Sequence, residues 1–169
     1  MEIFKNDEVL DLPDISKINF KKIDKSYFNV ILINFFLIFI IFLTVIIVLD
    51  NYVFSDDIKV YKFFIYLIFT LIFAYAFVHI TLAFPKRKYV LRDKDISYKS
   101  GLIFYKLTTV PFSRVQHVEI DEKPFSRVFN LASISVYTAG DSSDDLVIKG
   151  LPKSEALKIK EFISSKINE

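Results

Sequence analysis

FNVILINFFLIFIIFLTVIIVL, residues 28–49, carries no charged side chain from end to end. As a helix it would be about 33 Å long, enough to span the hydrocarbon core of a bilayer. A buried helix of a soluble protein keeps a polar stripe for its outer face, and this run has none. It starts too late and stays apolar too long for a cleaved secretion signal, and no small-residue cleavage site follows it. A second run, FFIYLIFTLIFAYAFVHITLAF, residues 63–84, repeats the pattern. The link DNYVFSDDIKVYK, residues 50–62, is short, so residues 28–84 are expected to form an antiparallel transmembrane hairpin.

Basic residues set the orientation of such a hairpin. Lys17, Lys21, Lys22 and Lys25 precede the first run, and Lys86, Arg87, Lys88, Arg92 and Lys94 follow the second, whereas the link offers only Lys59 and Lys62. Residues 1–27 and 85–169 are therefore expected on the cytoplasmic side, with the link outside. Tyr27, Tyr52, Tyr61 and Tyr89 fall where interfacial aromatics belong. The abundance of Ile, Phe, Lys and Asn suits an AT-rich bacterial genome, which places the expected multi-pass protein in a bacterial cytoplasmic membrane. Within the spans, Asn34 and His79 sit at matching depths from the cytoplasmic ends. A proton relay would need ionisable partners beside them, so an interhelical hydrogen bond worth about 1 kcal/mol is the expectation.

Hydrophobic residues make up 53% of the chain, and most of their excess lies between Phe28 and Phe84. The net charge of +2 is too small for a nucleic-acid partner. With no cysteine and only two histidines, His79 and His117, the chain lacks the usual zinc ligand sets, and three glycines leave no phosphate loop. No cofactor is expected.

From Lys86 onward the pattern changes to short alternating stretches, which read as strands. Tyr89–Leu91 and Ile96–Tyr98 flank the turn Arg92-Asp93-Lys94-Asp95. Gly101 marks another turn, Leu102–Val110 reads as a strand ended by Pro111, and Val115–Glu122 alternates with Val118 and Ile120 on one face. Lys123–Asn130 is a connection with about one helical turn. Ala132–Thr138 alternates, with Ile134 and Val136 inward and Ser133, Ser135 and Tyr137 outward. Ala139–Asp145 is a loop and Leu146–Ile148 a strand. Lys153–Ile167 places Ala156, Ile159, Ile163 and Ile167 on one helical stripe. The expected fold class is α+β: a transmembrane α-hairpin, then an antiparallel β-barrel capped by a C-terminal helix. Ile120, Ile134, Val136, Ile148, Ile159 and Ile163 should be buried together.

The runs GLIFYKLTTVPFSRVQHVEI, residues 101–120, and RVFNLASISVYTAGD, residues 127–141, resemble the YdbS-like bacterial pleckstrin-homology (PH) family. The shared features are the glycine before an apolar strand, Pro111 with Arg114-Val115-Gln116-His117-Val118, Arg127 with Phe129 and Leu131, Thr138-Ala139-Gly140, and Glu155-Ala156 in the final helix. Asn130 stands where the family usually has glycine, and asparagine is the next-best residue for a left-handed backbone. The resemblance implies paired membrane helices and a PH-like barrel. It names no ligand, because one fold serves many binding roles.

The chemistry on offer is sparse. His117 shares a strand face with Glu119, which suits a surface contact better than a general base, since no nucleophile is aimed at it. Arg114 and Arg127 each adjoin a turn. They are expected either to cap carbonyls or pair with a nearby acid such as Asp121 or Glu122, or to contact a lipid phosphate or partner carboxylate. Lys86, Arg87 and Lys88 follow the second span directly and can meet anionic headgroups, besides setting topology. A non-catalytic, membrane-anchored binding or scaffold module is expected, with the bilayer, a protein partner or a second copy as its partners. The alternative is an accessory subunit of a transport or export complex.

Overall fold

The computed structural model describes residues 18–52, 59–139 and 146–167. Two helices, α1 (Tyr27–Tyr52) and α2 (Lys59–Ala83), are long and apolar enough to cross a membrane. Asp24 starts α1: its carboxylate accepts from Ser26 N–H at 2.7 Å and its carbonyl from Tyr27 N–H at 3.2 Å. The helices meet through phenylalanines. Phe39, at the middle of α1, lies 5.3 Å from Phe69 and 5.0 Å from Phe73, and Phe28, at its start, lies 5.1 Å from Phe84 just past α2. Both helices continue into the expected 50–62 link. Asp50 pairs there with Lys62 and accepts from the Tyr66 hydroxyl at 3.2 Å, so charged residues are accommodated in the helical turns. Residues 53–58, the middle of that link, lie outside the described residues.

Among the described residues, seven strands form two antiparallel sheets. The first has the order β1 (Lys21–Lys22), β2 (Lys88–Leu91), β3 (Asp95–Ser100), β4 (Lys106–Pro111). The second has β5 (Val115–Asp121), β6 (Leu131–Thr138) and β7 (Leu146–Pro152), with the short helix α3 (Pro124–Val128) between β5 and β6. The C-terminal helix α4 (Lys153–Ile167) lies against the second sheet. Its expected stripe is correct: Ala156, Ile159 and Ile163 are buried, and Ile167 packs on the same core. Ile134, Val136 and Ile148 join them, while Ile120 is only partly buried at the margin. Asn130 does adopt the left-handed backbone, with φ 54°.

Three expectations need correction. Residues 1–27 are not wholly separate from the β domain, because β1 precedes the hairpin and pairs with β2, which follows it: Lys21 opposes Tyr89 and Lys22 opposes Lys88. Ile23 is buried in the β-domain core, and Asp24 N–H donates to the Gly150 carbonyl at 2.9 Å. The two helices are thus inserted between neighbouring strands of one sheet. Second, Leu102–Val110 is not all strand. Gly101 turns the chain at φ 108°, and Leu102–Phe104 bends away before β4 begins at Lys106. Third, Ser133 and Ser135 are buried although they lie on the outward face. β6 is the central strand, and these small side chains sit between the longer Asp121 and Lys149, and Glu119 and Val147, of its neighbours. The expected loop 139–145, apart from Ala139, lies outside the described residues.

Candidate binding surfaces of the β domain

The end of the domain nearest the hairpin is knitted from three directions. Lys21 of β1 and Tyr89 of β2 both reach Glu155 in the first turn of α4, Lys21 Nζ at 2.5 Å and the Tyr89 hydroxyl as a hydrogen-bond donor. Burial pushes the Tyr89 hydroxyl up from its ordinary pKa, and the Glu155 carboxylate that accepts its proton pushes it further. Burial alone would raise the Glu155 carboxyl too, but the bonds from Lys21 and Tyr89 outweigh it and hold the group below the ordinary value. On the far side of β7, Gly150 lies against the Tyr27 ring with φ 80°. An added Cβ would come 2.4 Å from Tyr27 Cγ, so the start of α1 packs directly on the sheet.

The structure does not bring Arg114 and Arg127 together. They flank β5 at opposite ends, separated by roughly 20 Å of strand. Arg114 ends the 3₁₀ turn Phe112–Arg114, and Phe112 N–H in that turn donates to the Lys94 carbonyl at 2.9 Å. Lys94 lies in the β2–β3 turn, at the end of those strands remote from α2. Arg127 lies in α3, which touches α1. Both arginines are exposed, and among the described residues neither forms an ion pair. Glu122, an expected partner, binds Lys153 Nζ at 2.6 Å instead.

Lys86 is exposed in the 3₁₀ turn that ends α2, Lys88 begins β2, and Arg87 between them is half-buried. Arg87 and Tyr98 line one cleft, where the guanidinium charge opposes the upward push of burial on the Tyr98 hydroxyl. Asn34 and His79 do not form the expected bond. Asn34 Nδ2 donates to the Val30 carbonyl of its own helix at 2.7 Å, and His79 stacks on Tyr75, also of its own helix, at 6.3 Å. A polar side chain in an apolar helix reaches the carbonyl one turn back without any tertiary rearrangement, and that local bond satisfies it here. Thr44, Thr70 and Thr81 do the same. His117 lies 3.6 Å from Glu119 and stacks on Tyr137 at 4.3 Å, and the Tyr137 hydroxyl donates to Glu119 at 3.1 Å. This is an exposed face contact. Among the described residues no three His, Asp or Glu side chains converge as a metal site.

Sequence reasoning missed the Lys21–Tyr89–Glu155 cluster and the Gly150–Tyr27 contact. Phe20, Ile23 and Tyr27, apolar residues spaced through a basic stretch, were the available signal: Ile23 enters the core, Tyr27 packs on it, and Phe20 lies 3.7 Å under the Lys99 ammonium.

Two apolar helices joined to two antiparallel sheets, closed by a C-terminal helix, define a membrane-associated PH-like module. The family model for the bacterial PH domain matches residues 28–167, and the chain belongs to that family. The matched span begins after β1, the strand that completes the first sheet. The chain is similar to the UPF0699 transmembrane protein YdbS of Bacillus subtilis, with 30% identity over 77 residues. That match covers 46% of each chain, so about half of the relative's length has a counterpart here. Among solved structures it is similar to a DUF1696 family protein with a pleckstrin-homology domain from Shewanella loihica PV-4. The TM-score there is 0.38 at 15% identity, over 48% of this chain and 70% of that one.

Proposed function

We propose that the chain is a non-catalytic binding module that its hairpin holds at the inner leaflet of the bacterial cytoplasmic membrane, with both termini cytoplasmic. The observation that carries this reading is the insertion of the hairpin between β1 and β2. A domain joined to its anchor on both sides keeps one fixed end toward the membrane and the other toward the cytoplasm. Lys86, Arg87, Lys88 and Arg127 belong to the membrane end, where anionic headgroups supply about 1 kcal/mol per basic residue. Arg114, at the other end, is free to meet a carboxylate of a protein partner or of a second copy. A transport role would draw on polar groups facing each other across the hairpin, and Asn34 bonds within its own helix.

Orientation is tested by cysteine labelling, the chain having no cysteine of its own. Ser55→Cys should react with an impermeant reagent added outside intact cells, and Glu169→Cys should be protected. A photo-crosslinking residue at position 114 should give a discrete protein adduct in native membranes that Arg114→Glu in the same chain, with the crosslinker moved to Ser113, weakens. External labelling of Glu169→Cys would overturn the orientation, and adducts to lipid alone would overturn the partner.

A further inference from the structure

Among the described residues of the β domain, the β3–β4 connection is the most exposed apolar segment. Ile103 is 62% exposed, Phe104 88% and Tyr105 66%. A loop in water gains nothing from displaying these side chains in a row. Gly101 holds it in a tight bend in which even an added Cβ would collide with the Phe104 carbonyl oxygen. Its position gives the reason. Leu102, Ile103 and Phe104 line a cleft of about 520 Å³ together with His79 and Ala83 of α2. His79 lies one turn before α2 ends, so the loop stands beside the last turn of a helix that crosses the bilayer in the reading above. That depth, about 6 Å inside the helix end, is where interfacial apolar groups settle. Arg87 and Lys149 line the same cleft and supply cations at the level of the phosphates. On the α1 side, α3 touches the helix and leaves Val128 79% exposed.

We infer that residues 102–105 are a third membrane contact. The loop inserts Ile103 and Phe104 into the cytoplasmic leaflet beside α2, and Tyr105 sits at the interface. The inference rests on the hairpin reading and adds to it. The β domain lies down on the lipid surface and does not merely hang from two helices. Its membrane face is then unavailable to protein partners, which leaves the Arg114 end for them.

The chain contains no tryptophan, so Phe104→Trp gives a single reporter in the full-length protein. In phosphatidylcholine and phosphatidylglycerol vesicles its emission should be blue-shifted. Lipids brominated near the headgroup end of the acyl chain should quench it more than lipids brominated near the tail end, and aqueous iodide should quench it little. Ile40→Trp, on the outward face of α1, is the companion, and tail-brominated lipid should quench it best. Quenching of Ile40→Trp but not of Phe104→Trp would overturn the inference and leave the hairpin standing. Quenching of neither would remove the hairpin reading beneath it. A blue-shifted Phe104→Trp that neither lipid bromine nor iodide quenches would mean burial against another protein chain, and would overturn the inference equally.

Discussion

Ile40 of α1 and Ile134 of β6 are the same residue in the middle of long, regular elements, yet one is 59% exposed and the other fully buried. The β domain closes its core with protein alone. Ile96, Ile134, Ile148, Leu151 and Ile163 are sealed between two sheets and α4. The hairpin seals only the seam where Phe35, Phe39, Phe69 and Phe73 meet, and leaves the remaining apolar faces to a non-aqueous solvent. Substitutions should therefore be costly where protein provides the whole environment and mild where lipid provides most of it. The two regions meet at β1, Tyr27 and Gly150, where the anchor becomes part of the domain.

The largest effect expected is Ile163→Ala. It leaves a cavity under α4 and should cost about 2–5 kcal/mol, seen as faster hydrogen exchange of the β6 amides in the full chain in nanodiscs. Lys158→Ala, on the outer face of the same helix, should leave that exchange unchanged. Equal rates for the two variants would mean that α4 does not cap the core.

Gly150→Ala comes next. The added methyl meets the Tyr27 ring and a backbone at φ 80°, and should cost about 1–3 kcal/mol. Exchange should rise first in β1 and β7, next to the joint. A variant with parental exchange there would separate anchor from domain.

Glu155→Gln should cost about 1 kcal/mol, because Lys21 is largely exposed and the pair is screened. Its pH dependence is more informative. The folded carboxyl titrates below its unfolded value, so its contribution is complete above the ordinary carboxylate range and is lost as the pH falls through the folded value. Thermal melts of the parent should lose stability on the acid side that Glu155→Gln has already lost, and the two curves should converge there. The smallest effect is that of Asn34→Ala. A side chain bonded to its own helix should change hairpin stability by less than about 0.5 kcal/mol, and a loss near 1 kcal/mol would restore the interhelical bond to His79.

The long-range pattern was legible where one periodicity ran uninterrupted. The two apolar runs and the Ala156-Ile159-Ile163-Ile167 stripe each decide a whole element, and the structure follows them. Leu102–Val110 misled because an exposed apolar loop has the same composition as a strand that faces a core. β1 was hidden because Lys21-Lys22 shows no alternation. Its place depends on Ile23 and on the partner strand, which arrives only after the hairpin. The candidate arginines were visible as residues, but their separation was not, since Arg114 and Arg127 flank a single strand whose two ends face different surroundings.

That a sheet is built from both sides of the hairpin can be tested at β1 itself. Lys22→Cys with Lys88→Cys places two thiols on opposed positions of neighbouring strands in a chain that has no others. With a protease site engineered into residues 53–58, oxidation in native membranes followed by cleavage should leave the two fragments joined until reductant is added. The pair Lys22→Cys with Lys94→Cys, whose second thiol lies in the remote β2–β3 turn, should separate without reductant. Fragments of the first pair that come apart after oxidation, or that join no better than those of the second, would contradict the account: the N-terminal segment would then lie outside the sheet, and the hairpin would be a tether and not an insertion.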